Sequence, residues 1–250
     1  MAVSKSESLK STKFDKESFD IVIIGGGPGG YVAAIRASQL GASVAVVERE
    51  NMGGICLNWG CIPTKALLKS AEVKNTVENL DEYGMKLNGT IEVDMAAVMA
   101  RSRNVASRLS KGIDHLMRKH NITVVKGTAS LGMAKGTHRE VVLADGPVLM
   151  AKDVILATGA RATWPPHIKP DGKRILTYRD ALKHDRSVTS VVIVGSGAIG
   201  VEFASFYNDM GAKVTLIEMQ GQILPIEDAD IAASAQKPVS YTHLRAHETI

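Results

Sequence analysis

The chain has 250 residues, 45% of them hydrophobic and 22% charged, a composition that suits a globular protein large enough for two domains and excludes disorder throughout. Its formal net charge of +4 and pI near 9.0 come from basic residues interleaved with 26 acidic ones, so no basic block marks a nucleic-acid partner. No apolar run approaches the ~20 residues that span a bilayer, and residues 1–20 lack the apolar core of a secretory signal, so no membrane association and a cytoplasmic location are expected.

In chain order, residues 1–19 mix Lys5, Glu7, Lys10, Lys13, Asp15, Lys16 and Glu17 with few apolar side chains, which predicts a disordered tail. Residues 21–24 are a wholly apolar, β-branched run followed by glycines, the pattern of a buried parallel strand turning into a helix. A helix over 31–40 ended by Gly41, then a second strand over 44–47, completes one βαβ unit. Residues 94–121 place Val98, Val105, Leu109, Ile113 and Leu116 near one face, predicting an amphipathic helix on a sheet. Strand-like runs follow at 122–125, 140–143 and 154–156, and the proline-rich, polar segment 164–173 suggests a boundary between domains at 20–163 and 164–238. A second βαβ unit then repeats the first: strand 191–194, helix 201–210, Gly211, strand 214–217. The fold class expected is α/β, a Rossmann-like domain followed by an incomplete second one.

Both units carry a dinucleotide fingerprint. The first has Gly25-x-Gly27-x-x-Gly30 directly after its strand, with Glu48 ending the second strand 23 positions after Gly25. Gly25 allows a tight turn, Gly27 lets backbone approach a pyrophosphate at a helix amino terminus, Gly30 permits close helix packing, and Glu48 can accept bonds from ribose hydroxyls. The second has Gly195-x-Gly197-x-x-Gly200 and Glu218, again 23 positions from its first glycine. Two dinucleotides are therefore implied. A carboxylate at Glu218, with no arginine from 219 to 231, favours NAD over NADP.

The two cysteines, Cys56 and Cys61, stand in Gly53-Gly54-Ile55-Cys56-Leu57-Asn58-Trp59-Gly60-Cys61-Ile62-Pro63-Thr64-Lys65, just after the first unit. A close pair in a reducing compartment is more often catalytic or metal-binding than a structural staple. Five residues of regular helix rise about 7.5 Å, too far for a disulfide with Cα atoms ~5.5 Å apart, so a disulfide requires an irregular segment between them. Gly60 permits the distortion, and Pro63 suits the first turn of a helix running on through Lys65. That helix start would favour a thiolate at Cys61. The alternatives are a zinc site, disfavoured because a closed site needs four ligands and no histidine precedes His115, and two inert buried cysteines. No metal is expected.

These residues together resemble the pyridine-nucleotide disulfide oxidoreductase family: the double-glycine loop Gly53-Gly54, Cys-x4-Cys followed by Ile-Pro-x-Lys, the later Ala157-Thr158-Gly159, and the second fingerprint. The resemblance covers residues 19 to about 237. Within the family, Cys-Leu-Asn-Trp-Gly-Cys-Ile-Pro-Thr-Lys-Ala-Leu-Leu, and Pro170-Asp171-Gly172-Lys173 leading into Thr177-Tyr178-Arg179, are most similar to members that oxidise protein-bound dihydrolipoyl groups. The resemblance implies a flavoprotein using FAD and NAD, with a role in cell redox homeostasis. It implies that Cys56 exchanges with the substrate dithiol, that Cys61 forms the thiolate touching the flavin, and that Lys65, near the flavin, pairs with Glu202. Gly53, Gly54, Thr128, Ala157, Thr158 and Gly159 are implied to contact FAD. Its partners would be the lipoyl-bearing subunit of a 2-oxoacid dehydrogenase complex and, in the full-length form, a second copy of itself.

None of the seven histidines sits in a motif that this family uses. The family's catalytic histidine belongs to a carboxy-terminal dimerisation domain, so the 250-residue chain is expected to be an amino-terminal part that is inactive by itself. Family-like wording stops near Lys237, and the stretch from Val239 back-translates into a sequencing adaptor, so residues 239–250 are expected to be artefactual. A mercuric or glutathione reductase-like activity, or a non-catalytic nucleotide-binding fragment, are the competing readings.

Overall fold

The computed structural model describes residues 18–241 and 245–247, so the disordered tail expected over residues 1–17 lies outside the described residues. Its last two expected members are not tail. Ser18 and Phe19 begin the strand β1 (Ser18–Ile24), and Phe19 is buried beside Val141 and Leu149. The apolar side chain needs that cover, and Ser18 pairs with Met150 in the sheet.

The chain divides into two compact units, and neither is continuous. The first takes residues up to Met52 together with Ile113–Gly159; the second takes Gly53–Gly112 and the chain from Ala160 onward. The contiguous division expected at 163 and 164 therefore differs from this grouping. The cysteine segment belongs with the second unit, because Leu67 and Ala71, just after it, share a core with Phe203 and Phe206 of the second βαβ unit.

In the first unit, α1 (Pro28–Gln39) connects β1 to the parallel strand β2 (Val44–Glu48). The helix begins earlier than expected from residue 31, since Pro28 is acceptable in a first turn where no N–H partner is needed. After the cysteine segment, formed by α2 (Gly54–Trp59) and α3 (Cys61–Glu78), comes the long helix α4 (Met95–Lys119). It leads to β3 (Thr123–Lys126), β4 (Ala129–Lys135), β5 (His138–Leu143) and β6 (Val148–Leu156). The six strands lie in the order β3-β2-β1-β6-β5-β4. The first four are mutually parallel, while β5 and β4 are antiparallel additions. Strand β4, Ala-Ser-Leu-Gly-Met-Ala-Lys, has few β-branched or aromatic residues and gave no strand signal. Pairing with β5 makes it one. Val22, Ile23, Val46 and Val47 are fully or almost fully buried in the central strands.

In the second unit, the short helix α5 (Tyr178–Ala181) opens with a capping box in which Thr177 and Asp180 exchange hydrogen bonds. Strand β7 (Ser190–Val194), α6 (Ala198–Asp209) and β8 (Lys213–Ile217) form the second βαβ unit, with β7 and β8 parallel. Helix α7 (Ala229–Tyr241) and β9 (Arg245–His247) follow, and β9 adds parallel to β8. Of the stretch 239–250 expected to be artefactual, residues 239–241 lie in α7 and 245–247 in β9. The core joins Leu67 and Ala71 of α3, Met95 and Met99 of α4, and Phe203, Ala204, Phe206 and Tyr207 of α6.

The buried face of α4 is rotated from the one its periodicity predicted: Val98 and Ile113 pack only partly buried against the cores. Met95, Met99, Ser102, Ala106, Ser110 and Met117 are buried, whereas Leu109 is exposed. Small residues at 102, 106 and 110 share one face at helical spacing and let neighbouring backbone come close. Ser102 illustrates this, since its hydroxyl donates to the Pro63 carbonyl at 2.9 Å. No helix among the described residues is long and apolar enough to cross a membrane.

Candidate functional site

In the first unit, the glycine loop is forced by its surroundings. Gly25 has φ +110°, and a Cβ there would lie 2.1 Å from the Ala157 carbonyl oxygen; one on Gly30 would lie 1.8 Å from the Gly25 oxygen. Both positions exclude any side chain. Gly27 is the N-cap of α1, and no side chain caps that helix, which leaves its first N–H groups for an anionic ligand. Glu48 holds the loop from the end of β2: its carboxylate accepts from the Gly26 N–H and the Glu50 N–H, both at 2.7 Å. Ala157 donates its N–H to the Ile24 carbonyl at 2.9 Å, which sets Ala157, Thr158 and Gly159 against the glycine turn. Gly159 has φ +69°. Thr128 lies exposed between β3 and β4.

The second unit repeats the arrangement at Gly195, Gly197, Gly200 and Glu218. Gly195 has φ +99°, a Cβ on Gly200 would be 1.9 Å from the Gly195 oxygen, and Gly197 has open space beside it. Gly197 caps α6, again without a capping side chain. Glu218 accepts four hydrogen bonds: from Ser196 N–H and hydroxyl and Met219 N–H at 2.8 Å, and from Gln220 N–H at 2.9 Å. Burial raises its pKa, but these bonds together outweigh that and hold it below the ordinary glutamate value.

The same unit holds the cysteines. Gly53, with φ +91°, is the N-cap of α2, and Gly54 begins that helix. Cys56 lies within α2, Gly60 (φ −143°, ψ −114°) breaks the helix, and Cys61 is the first residue of α3. The irregularity the spacing required is thus a single break between two helices. Cys56 is partly buried and Cys61 exposed, and no bond joins the two sulfurs. Burial, followed by a hydrogen bond with Cys61 and repulsion from it, pushes the Cys56 thiol up to about 11. Lys65 stands one helical turn after Cys61 and forms an ion pair with Glu202 of α6. That contact, more than the opposing burial and the nearby thiols, raises the Lys65 pKa.

Other residues here were given no role in the sequence, Arg179 having been quoted only as part of the Thr177-Tyr178-Arg179 wording. Ser196 is fully buried under Glu218, and its place in the middle of a Gly-Ser-Gly trio was the available signal. Arg103, Arg179 and Lys183 approach the Trp59 ring to 4.5, 5.0 and 4.6 Å from its centroid. No local pattern announced them.

Residues 19–243 match the family model described as pyridine nucleotide-disulphide oxidoreductase. The chain belongs to this family. It is 49% identical over 243 residues to a dihydrolipoyl dehydrogenase of Rhizobium etli, with 92% of this chain and 50% of that protein covered. Against the enzyme of the same name from Zymomonas mobilis it is 49% identical over 221 residues, with 88% of this chain and 47% of that protein covered. Among solved structures it is similar to LpdA from Mycobacterium tuberculosis, with a TM-score of 0.81 and 27% identity over 93% of this chain and 51% of that one. The HOCl-induced flavoprotein disulfide reductase RclA from Escherichia coli gives a TM-score of 0.73 at 27% identity, over 92% of this chain and 48% of that one. The chain spans about half the length of the curated relatives it matches.

Proposed function

We propose that the protein to which this chain belongs oxidises protein-bound dihydrolipoyl groups with NAD as acceptor, through a redox-active Cys56–Cys61 pair. The observation that carries this reading is the placement of two thiols across one helix break, with the Lys65–Glu202 ion pair one turn away. The shared identity with dihydrolipoyl dehydrogenases supports the choice of substrate. Gly25, Gly27, Gly30, Glu48, Gly53, Gly54, Lys65, Thr128 and Ala157–Thr158–Gly159 would hold FAD, and Gly195, Gly197, Gly200 and Glu218 would hold NAD. The uncapped helix starts and the glycines with no room for a side chain fit such groups. When bound, they supply an electron acceptor for the dithiol and a final hydride acceptor.

The chain's own residues perform the thiol chemistry. With the pair oxidised, one dihydrolipoyl thiolate attacks the Cys56 sulfur, the Cys56–Cys61 bond breaks, and Cys61 leaves as a thiolate. The second substrate thiolate then displaces Cys56, so the substrate departs as a disulfide and the chain keeps both electrons as a dithiol. The helix start at Cys61 favours the leaving thiolate, and the Lys65 ammonium, held by Glu202, adds positive charge near both sulfurs. Burial pushes the Cys56 thiol up, so Cys56 takes up the proton given up by the second substrate thiol as it is displaced.

In this reading the substrate is carried by the lipoyl-bearing subunit of a 2-oxoacid dehydrogenase complex, the full-length protein is a homodimer, and it works in the cytoplasm in redox homeostasis. The test is dihydrolipoamide-dependent NAD reduction by the full-length gene product reconstituted with FAD. Turnover should be lost in both C56S and C61S and should strongly prefer NAD to NADP. Undiminished turnover in either variant, or a larger kcat/KM with NADP, overturns the reading.

A further inference from the structure

The break at Gly60 places the cysteines, and neither α2 nor α3 can fix it alone. Helix α2 has six residues, too short to hold its own geometry. Three consecutive residues of α4 hold the segment instead. Arg103 Nη1 donates to the Asn58 carbonyl at 2.6 Å and its guanidinium lies 4.5 Å from the centre of the Trp59 ring. It thereby grips two of the four residues between the cysteines. Ser102, fully buried, donates to the Pro63 carbonyl at 2.9 Å on the other side of the break. Arg101 donates to the Ala66 carbonyl at 2.7 Å, one turn further along α3. One turn of α4 therefore references the backbone before and after Gly60 to the same rigid element.

Within this set Arg103 is distinctive. Its partners are a neutral carbonyl and an aromatic face, and burial lowers its pKa. A partly desolvated cation directed at a single carbonyl between two thiols is well suited to fixing a geometry. We propose that Arg103 is a positioning residue for the Cys56–Cys61 pair: by clamping Asn58 and Trp59 it sets how readily the two sulfurs reach each other, and hence the thiol–disulfide equilibrium. This rests on the reading of the pair as redox-active.

The test equilibrates the 250-residue chain with mixtures of glutathione and glutathione disulfide, quenches with acid, and counts free thiols by alkylation and mass spectrometry. In the exchange the two cysteines lose two protons and two electrons as one S–S bond forms, and one glutathione disulfide becomes two glutathione thiols. R103M should disfavour the disulfide about tenfold, equivalent to about 30 mV for a two-electron couple. R103K keeps the charge but not the planar fork and should shift it about threefold. R101M, which removes a contact outside the segment between the cysteines, should leave the equilibrium at the parent value whatever it does to the melting temperature. An equilibrium within twofold of the parent in R103M overturns the inference, as does an unshifted R103K should R103M fail to fold. An equal shift in R101M also overturns it, since the effect would then be general loosening of α4. A parent chain that forms no Cys56–Cys61 disulfide at any glutathione ratio overturns the reading of the pair itself.

Discussion

The two glycine fingerprints have the same spacing but different surroundings. In the first, β1 has β2 on one side and β6 on the other, and β6 delivers Ala157 onto the glycine turn. In the second, β7 pairs only with β8 among the described residues, and Gly195 has nothing within 4 Å of a Cβ position. Val192 and Val194 of β7 are accordingly 62% and 57% exposed, whereas Val22 and Ile23 of β1 are fully buried. The slot between the first two glycines differs as well. A Cβ on Gly26 would lie 2.6 Å from the Met52 sulfur and 3.1 Å from the Glu48 Cβ, so those side chains would have to shift, while Ser196 fills the corresponding place with a hydroxyl bound to Glu218. The loop conformation follows from the glycines; how strongly it is enforced depends on which strands surround it.

The largest expected effect separates the two turns. Gly25→Ala adds a collision with the Ala157 carbonyl to the penalty of a positive φ, and should cost more than ~3 kcal/mol. Gly195→Ala meets only the backbone penalty, about 1–2 kcal/mol. Hydrogen exchange of β1 and β7 in each variant measures the two costs separately, and equal losses would mean that Ala157 does not brace the first turn.

A smaller contrast concerns the carboxylates. Glu218 uses four donors and Glu48 two, and an ionised carboxylate has about four acceptor positions. Replacing either with Gln leaves one acceptor oxygen, so Glu218→Gln should reduce local stability more than Glu48→Gln, by roughly 1 kcal/mol for each additional bond lost. Melting temperatures of the paired variants decide the order.

The smallest effect is in pH dependence. The folded pKa of Glu218 is depressed below 4.5, so its stabilisation is present above that value and fades as pH falls through the lower, folded value. As pH falls below 4.5 and through the lower folded value, the second unit should lose hydrogen-exchange protection in the parent chain, and Glu218→Gln should flatten that slope. An unchanged slope would place the acid sensitivity elsewhere.

Much of the site was legible in the sequence because its constraints are local. A positive φ and a close approach between residues five apart admit only glycine, so Gly25, Gly30, Gly195 and Gly200 reveal the turns without any knowledge of the fold. The helix break between Cys56 and Cys61 followed from helical rise set against disulfide reach. Strand β4 was missed because its residues have no preference of their own and become a strand through β5. The face of α4 was displaced because periodicity centred on Val98, Val105 and Leu109, while the packing turns Met95, Met99 and Met117 inward together with the small Ser102, Ala106 and Ser110.

What the sequence alone determined was therefore the chemistry available: two dinucleotide turns, a close thiol pair, and the identity of the family. Tertiary structure decided which distant groups meet. Lys65 and Glu202 are 137 positions apart, and Arg103 is 45 positions from Asn58. Lys65 stands in the cysteine motif and its pairing with Glu202 was implied only by the family resemblance, while Arg103 has nothing nearby in sequence to mark it. Their pairing arises because α3, α4 and α6 share a core built from Leu67, Met99 and Phe203, and burying that apolar surface fixes the helices closely enough for polar groups at their margins to bond.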